Sequence, residues 1–362
     1  MKRVITITLL LALLFLAACG GGGQTVTETD PETDTGTETE IQTETETETE
    51  AETKAPEKEV KSMQLIPDIK LETGMELITQ KNHNNNDSFT TFAKRSFYNT
   101  KARSPRWRLA QWDSGPDLKD CIIESEPNVI TDGKYRTFIY DPEENMMTFH
   151  LDTSLYYDGK PAVVGDYWPH LLIEQGDFGA KELDKETREY YRCNSESIIL
   201  SLDLKLGDYE KTEIEGDWVR AAQFLLYFYV KGINTNDFCW FGIQLFDSRS
   251  DMNDNYIGYD GGKADASGAM IFSIGSKYLY GDKSFFEYGK PVPNSDWIHI
   301  EIDIRPFLDK MFEYGRNDGY FKAANINKLI INGMNMGWET IGTFNHTMYV
   351  KNLTLTSYPE GR

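Results

Sequence analysis

The chain has 362 residues and a formal net charge of −21, with 37 Lys and Arg against 58 Asp and Glu. Nucleic-acid binding relies on clustered Lys and Arg to meet the phosphates, so this charge argues against a nucleic-acid partner. Five His, four Cys and the lack of a Cys-x-x-Cys spacing argue against a zinc site.

The first 18 residues have the pattern of an export signal. A basic start and an apolar stretch from Val4 to Leu16 lead to small residues before Cys19, and the stretch is too short for a mature transmembrane helix. The run Leu16-Ala17-Ala18-Cys19 resembles the lipobox of bacterial lipoproteins. This resemblance implies cleavage before Cys19, a lipid on its thiol, and a protein anchored to the bacterial cell membrane and facing outside.

Residues 19–60 form a segment of low complexity. They contain 13 acidic residues and two lysines, and residues 43–50 are a pure Thr-Glu repeat. A segment with so few apolar side chains cannot offset the entropy of ordering, and its like charges favour extension. The composition predicts a disordered acidic stalk between the lipid anchor and a globular domain.

The remaining cysteines are Cys121, Cys193 and Cys239. An odd number in an exported protein implies at least one free thiol or an intermolecular bond. Cys239 lies in an apolar strand pattern and is predicted to be a small buried hydrophobe. Whether Cys121 and Cys193 pair is left open by the sequence.

Residues 61–362 are predicted to fold as one all-β domain, because short alternations of apolar and polar residues recur between Gly, Asn, Asp and Pro. The pattern is weak in residues 71–102 and clearest after residue 200. The strands predicted in the first half are Trp107–Trp112, Lys134–Tyr140, Met146–Leu151 and His170–Gln175.

The second half predicts a β-sandwich or jelly roll with one or two short helices. Pro306 begins a helix that runs to about Tyr314, and residues 181–190 are a second candidate. The predicted strands are Ser201–Leu206, Gln223–Lys231, Phe238–Asp247, Trp297–Ile304, Leu329–Trp338 and Met348–Thr356.

Several of these strands have one apolar face and a second face rich in aromatics, amides, acids and glycines. A sugar ring offers an apolar face for stacking and a rim of hydroxyls for amides and carboxylates, and glycine lets a ligand approach a sheet. This composition predicts a glycan-binding face, although a covering layer of helices or loops would make the same aromatics part of the core. The ligand-binding candidates are Tyr227, Trp240, Gln244, Asn335 and Glu339.

The strands Trp297–Ile304 and Tyr349–Leu355 resemble those of carbohydrate-binding modules and concanavalin-like sandwiches, best over residues 200–358. The resemblance implies a jelly-roll or concanavalin-like β-sandwich, preceded here by the stalk. It is a likeness of fold style, which does not by itself give function.

Two enzyme families of similar fold share short motifs with the chain. Glu301-Ile302-Asp303 resembles the start of the Glu-x-Asp-x-x-Glu motif of laminarinase-like glycoside hydrolases, but Pro306 replaces the third carboxylate. Residues 320–323 resemble the start of the Tyr-Phe-Lys-Ala-Gly signature of alginate-lyase-like sandwiches, with Ala at position 324. The catalytic candidates are therefore His299, Glu301 and Asp303.

An acidic loop begins at residue 247 and has part of the spacing of a calcium loop. Oxygen ligands suit Ca²⁺, but the twelfth position is Gly262 rather than Glu. A structural Ca²⁺ is therefore the one cofactor that the sequence suggests, against the alternative of a solvated turn. The metal candidates are Asp247, Asp251, Asn253 and Asn255.

The sequence thus favours a surface lipoprotein that captures polysaccharide. One alternative is a structural or adhesive surface protein that binds another protein or the cell envelope. The other is a polysaccharide-degrading enzyme, either a glycoside hydrolase or a lyase, on the same fold.

Overall fold

The computed structural model describes residues 61–79, 89–98, 104–111, 117–122, 126–163, 166, 168–212, 214–216, 220–261 and 267–360. The export signal, Cys19 and the predicted stalk lie outside these residues. In the described part of the chain, no helix has the length and hydropathy needed to cross a bilayer.

Strands dominate the described residues. The first nine are β1 (Met63–Gln64), β2 (Met75–Ile78), β3 (Thr91–Arg95), β4 (Trp107–Ala110), β5 (Val129–Thr131), β6 (Arg136–Asp141), β7 (Met146–Asp152), β8 (His170–Gln175) and β9 (Ser197–Lys211). The next nine are β10 (Ala221–Gly232), β11 (Phe238–Asp247), β12 (Tyr256–Tyr259), β13 (Met270–Ile274), β14 (Phe286–Glu287), β15 (Lys290–Pro291), β16 (Ile298–Asp303), β17 (Leu329–Ile341) and β18 (Phe344–Tyr358).

Within the described residues these strands form two large sheets and one small ribbon. The seven-stranded sheet has the order β16-β9-β18-β7-β6-β5, with β1 paired to β18. The nine-stranded sheet has the order β12-β13-β11-β10-β17-β8-β4-β2-β3, and β14 pairs with β15. The predicted all-β sandwich is therefore confirmed.

The core lies between the two large sheets. Alternate residues of β9 and β10 turn inward, among them Leu202 and Phe228, which are fully buried. Phe224 of the nine-stranded sheet meets Phe149 of the seven-stranded sheet, with ring centroids 5.1 Å apart. The indole N–H of Trp338 donates to the carbonyl of Phe149 at 3.0 Å, so this buried ring bridges the sheets.

Four α-helices lie in the described residues: α1 (Leu118–Cys121), α2 (Thr153–Tyr156), α3 (Lys185–Tyr190) and α4 (Arg305–Asn317). Both predicted helices are present, as α3 and α4. Helix α4 has a proline in its first turn and buries Leu308, Met311 and Gly315 on one side. A Cβ at Gly315 would overlap the ring of Phe321, so glycine lets the helix pack closely there.

The three described cysteines are free thiols, with Cys193 and Cys239 buried and Cys121 half-buried. Cys239 is a small buried hydrophobe, as its strand pattern predicts. Burial raises the pKa of the Cys193 thiol and the Cys239 thiol, so both stay protonated near neutral pH.

Candidate functional site

The outward surface of the nine-stranded sheet, here called the nine-strand face, carries all five predicted ligand-binding residues. Residues directly opposite each other in a ladder project to the same side of a sheet. The register places Tyr227 opposite Asn335, Trp240 opposite Tyr229, and Glu339 opposite Gln223. Gln244 is opposite Leu225, which lies on the same side of β10 as Tyr227.

One cross-strand row of this face runs through all nine strands of the sheet. Its residues are opposite one another in successive ladders and are polar or glycine. From β3 to β12 they are Lys94, Glu76, Arg108, Glu174, Asn335, Tyr227, Gly242, Ser273 and Tyr256. With strands roughly 4.8 Å apart, the row is roughly 38 Å long from β3 to β12.

Aromatic rings form the centre of the nine-strand face. The Trp240 ring lies 5.0 Å from the Tyr229 ring and 4.8 Å from the Phe238 ring, both nearly perpendicular to it. The Tyr227 ring lies 6.0 Å from Trp240, at an interplanar angle of 71°. The indole N–H of Trp240 donates to the Ser267 hydroxyl at 3.2 Å, which fixes the orientation of the ring.

The glycines of this face have a different role from the one that the sequence suggested. A Cβ at Gly242 would lie 2.6 Å from Cε1 of Tyr227, and one at Gly333 would lie 2.5 Å from Cδ2 of Tyr229. A Cβ at Gly337 would overlap the backbone carbonyl of Leu171. Tyrosine rings and a neighbouring strand therefore occupy the space above these glycines, which is not left for a ligand.

Exposure separates the five candidates into two groups. Asn335 is only 6% exposed, and its side chain is hydrogen-bonded to the buried Tyr229, so it lies beneath the surface. Tyr227, Trp240, Gln244 and Glu339 are half-buried. The side-chain oxygen of Gln244 is buried and has no hydrogen-bond partner among the described residues.

Electrostatics at the centre of the face keep the Tyr227 hydroxyl neutral. Burial raises the pKa of Tyr227, and the nearby Glu339 carboxylate raises it further. The same hydroxyl forms a hydrogen bond with the side chain of Ser273. The centre of the face therefore offers a neutral aromatic surface beside one acidic group.

A buried charged network extends the site toward β4. The guanidinium Nε of Arg108 pairs with the Glu174 carboxylate, whose side chain is fully buried. The Tyr229 hydroxyl donates to the other Glu174 oxygen at 2.8 Å, and burial together with this carboxylate raises the pKa of Tyr229. The sequence prediction missed these residues, although a glutamate in the apolar strand His170–Gln175 was a signal.

A surface depression of about 460 Å³ lies at the β4 end of this network. It is lined by Glu76, Pro105, Arg106, Trp107, Arg108, Gly176 and Asp177. The Arg108 guanidinium stacks on the Phe89 ring at 4.1 Å, and a Cβ at Gly176 would lie 2.9 Å from its Nη2. The backbone, the ring and the carboxylate together hold this guanidinium in one place.

The catalytic candidates lie on the opposite side of the molecule, on the outward surface of the seven-stranded sheet, here called the seven-strand face. His299, Glu301 and Asp303 are on β16, at one edge of that sheet. Asp303 accepts hydrogen bonds from the backbone N–H groups of Ile198 and Arg305, at 3.0 and 2.9 Å. The structure therefore does not bring these three residues together with the predicted ligand-binding residues.

Residues 320–323, which resemble a lyase signature, lie in a loop after α4 rather than on a strand of either face. Phe321 is buried against α4, and the Asp237 carboxylate accepts the backbone N–H groups of Lys322 and Ala323 at 2.8 and 2.7 Å. These contacts give the segment a structural role in anchoring the loop.

The four metal candidates each have a separate protein partner. These are Arg249 for Asp247, Ser284 for Asp251, Ser250 for Asn253 and Gly275 for Asn255. In the described part of the chain, no group of three or more His, Cys, Asp or Glu side chains is arranged to hold a metal ion. The contacts stabilise the loop itself, and calcium binding stays a prediction.

No protein-family model and no curated protein matches this chain. Three of the solved structures that resemble it are glycosidases. The first two are a family 12 xyloglucanase from Bacillus licheniformis (10% identity, 65% of this chain and 96% of that one, TM-score 0.36) and the endoglucanase cel12A from Rhodothermus marinus (9% identity, 63% and 89%, TM-score 0.33). The third is the xyloglucanase domain of NopAA, a type three effector from Sinorhizobium fredii, in complex with cellobiose (10% identity, 62% and 94%, TM-score 0.32). Identities and TM-scores this low establish neither a common family nor a common function.

Proposed function

We propose that this protein binds a polysaccharide chain across the nine-strand face. The observation that carries the proposal is the half-buried surface along β11, where Trp240, the Tyr227 ring above Gly242, and Gln244 follow one another. The rings suit the apolar face of a sugar, and the half-buried amide of Gln244 suits a sugar hydroxyl. Within the described residues, Trp240 and Tyr227 are only half-buried, so no helix or loop there seals these two rings.

The test compares two tryptophans, one on each outward face. Purified full-length protein is titrated with a panel of soluble polysaccharides by isothermal titration calorimetry. Trp240→Ala is expected to weaken binding by roughly tenfold or more, because a large stacking surface is lost. Trp297→Ala is the matched control, since Trp297 is also half-buried but packs near Tyr349 on the seven-strand face.

Either of two results would contradict the proposal. If no polysaccharide binds, or if both tryptophan variants bind as the wild type does, the nine-strand face is not a glycan site. A protein or envelope component would then be the better candidate ligand, as in the adhesive alternative.

Hydrolysis of the bound polysaccharide is a second candidate function. Glu174 and Glu339 project from the same face on neighbouring strands, with Glu174 opposite Asn335 and Glu339 opposite His170. Glycosidases use two carboxyl groups that flank the scissile bond. Of the two, Glu339 is half-buried at the surface and Glu174 is fully buried, so Glu339 is the first residue to test.

The activity test measures reducing ends released from each polysaccharide that binds. If the protein is a hydrolase, Glu339→Gln is expected to lower the rate at least a hundredfold while binding persists, because an amide replaces an acid–base or nucleophilic group. Glu301→Gln on the seven-strand face is the matched control. Binding without any release of reducing ends leaves capture as the function.

Attachment through Cys19 belongs to the same proposal, because it would place the glycan-binding domain at the cell surface. Mass spectrometry of the N-terminal peptide, with detergent-phase partitioning, tests it. Cys19→Ser is expected to abolish lipid addition, and Cys121→Ser is expected to leave it unchanged. An unmodified Cys19 in the mature wild-type protein would contradict the anchor.

A further inference from the structure

The depression beside Arg106 and Arg108 has a charge pattern that differs from that of the whole chain. Among the described residues, Arg106 and Arg108 line it, and Lys94 and Lys231 bind its lining residues Glu76 and Gly176, although the chain as a whole carries a formal charge of −21. Three carboxylates lie among them, and they belong to Glu76, Glu174 and Asp177.

Each of these carboxylates already has its own partner. Lys94 pairs with Glu76 at 3.2 Å, Arg108 pairs with Glu174, and Asp177 accepts the backbone N–H of Gly179 at 2.6 Å. The ammonium group of Lys231 donates to the carbonyl of Gly176 at 3.1 Å. The local carboxylates are thus engaged in contacts that maintain the walls of the depression.

Arg106 differs from the other cations around the depression in its contacts. Its backbone N–H donates to the Thr73 hydroxyl at 3.0 Å, which fixes the chain at this point. Its guanidinium group is exposed and makes no hydrogen bond or ion pair with the described residues. A planar guanidinium with free donors matches the two oxygens of a carboxylate or another planar anion.

The depression is also connected to the proposed glycan site. Glu76 and Arg108 belong to the cross-strand row that continues through Glu174 and Asn335 to Tyr227. A chain lying across the strands from Trp240 would reach the depression after crossing β10, β17 and β8. Neutral sugar units would contact the aromatic centre, and the next units would contact the two arginines.

From this geometry we infer an anion subsite, in which Arg106, next to the fixed guanidinium of Arg108, binds the carboxylate of a uronic acid unit in the polysaccharide. The inference rests on the proposed glycan binding and narrows it to acidic polysaccharides or polysaccharides with acidic branches. Arg108 acts as a positioning residue and as a second positive charge, because Glu174 and Phe89 already hold it.

The first experiment uses single sugars, so that it does not depend on binding of a polymer. Full-length protein is titrated with glucuronate, galacturonate and mannuronate, each against its neutral hexose, with protein-observed NMR at millimolar concentration. At least one uronate is expected to bind at least five times more tightly than its hexose. The preference is expected to weaken as the salt concentration rises, because the contact is exposed to solvent.

Variants locate the interaction. Arg106→Gln is expected to weaken uronate binding by roughly tenfold, the effect of losing a charge-assisted hydrogen bond. Arg106→Lys, which keeps the charge but loses the fork, is expected to give an intermediate loss. Lys310→Gln removes an exposed cation of α4 and is expected to have no effect. Equal uronate binding by Arg106→Gln and Lys310→Gln, or no uronate preference in the wild type, would overturn the subsite.

The second experiment uses polygalacturonate and its methyl ester, two polymers that differ in charge. Trp240→Ala is expected to weaken binding of both, and Arg106→Gln only that of the acid. If neither polymer nor any other glycan binds, the proposed function fails, and the single-sugar titration still decides whether the subsite exists. If Trp240→Ala weakens binding of both polymers but Arg106→Gln of neither, the subsite fails and the glycan face stands.

Discussion

The nine-strand face and the seven-strand face each contain a tryptophan beside a tyrosine that covers a glycine. Tyr227 lies over Gly242 with Trp240 beside it, and on the other side Tyr349 lies over Gly207 with Trp297 6.5 Å away. The two groups differ in what surrounds them. On the nine-strand face the tryptophan contacts three aromatic rings, whereas the ammonium of Lys351 lies 5.2 Å from the centre of the Trp297 ring.

This difference shows that the same local motif gives two kinds of surface. The group around Trp240 belongs to strands at the centre of a wide sheet, with a fully buried carboxylate nearby. The group around Trp297 lies near the edge strand β16. A buried carboxylate remains ionised only with partners that hold it, and those partners order the surrounding side chains. We expect the nine-strand face to be the more rigid surface and therefore the better platform for a ligand.

Removing the buried carboxylate should have the largest effect on stability. Glu174→Ala leaves the Arg108 guanidinium and the Tyr229 hydroxyl without their partner, so we expect a loss of about 3–5 kcal/mol in the free energy of unfolding. Glu301→Ala, on the exposed side of β16, should change it by no more than about 0.5 kcal/mol. Urea denaturation of both variants measures the difference, and similar small losses would show that the two faces are equally loosely held.

The sequence predicted the faces but not the difference between them. Alternation in Gln223–Lys231 and in Trp297–Ile304 shows which side chains share a side, and both predictions of strand and side are correct. It does not show that β10 is central and β16 is an edge, because strand order depends on pairing between residues far apart in the chain. For the same reason, the sequence could not predict the partners of Glu174 or the cross-strand row.

The weak apolar pattern in the first half of the sequence is the second reason why features of the structure were not predicted. Strands β2 and β3 fall in residues 71–102, where no strand was predicted, and β2 is only four residues long. Such short strands are stabilised by their neighbours, since β2 lies between β3 and β4, rather than by their own pattern. These strands carry Glu76 and Lys94, so the sequence also missed the depression that they help to form.

The two covered glycines give the next comparison. Gly242→Ala would push a Cβ into the half-buried Tyr227 ring and the buried Ser273, so we expect a loss of about 1–3 kcal/mol in unfolding free energy. Gly207→Ala would meet the Tyr349 ring at 2.6 Å, and that ring can turn toward solvent at a smaller cost. Calorimetry should also show weaker glycan binding for Gly242→Ala only. The reverse order of effects would place the constrained surface on the seven-strand face.

A histidine buried between the two large sheets should make the stability of the protein depend on pH. His346 is fully buried, its ring stacks 3.9 Å from Trp338, and burial lowers its pKa to about 3. Between pH 6.5 and 3 the unfolded chain therefore binds a proton that the folded protein does not, and stability falls as the pH falls. The slope is about 1.4 kcal/mol per pH unit, or about 2 kcal/mol between pH 6.5 and 5.

His346→Phe keeps an aromatic ring against Trp338 and removes the titrating group. We expect its unfolding free energy to fall less between pH 7 and pH 5 than that of the wild type, by about 2 kcal/mol. The variant also loses the contact between Nε2 and the Thr340 hydroxyl at 3.0 Å, so its stability at pH 7 is the reference for the comparison. Parallel pH profiles would show that the histidine is protonated in the folded core.

The smallest effect is expected on the seven-strand face. The Asp203 carboxylate contacts Nδ1 of His299 at 2.7 Å and the side-chain amide of Asn352 at 2.6 Å, and the His299 side chain is 56% exposed. Exposed pairs of this kind contribute at most about 1 kcal/mol, so Asp203→Asn should cost less than that in urea denaturation. Because the pair is on the other side of the sandwich from Trp240, the variant should bind polysaccharide and release reducing ends as the wild type does. A loss of activity in Asp203→Asn with unchanged stability would instead move the chemistry to β16, where the sequence first suggested it.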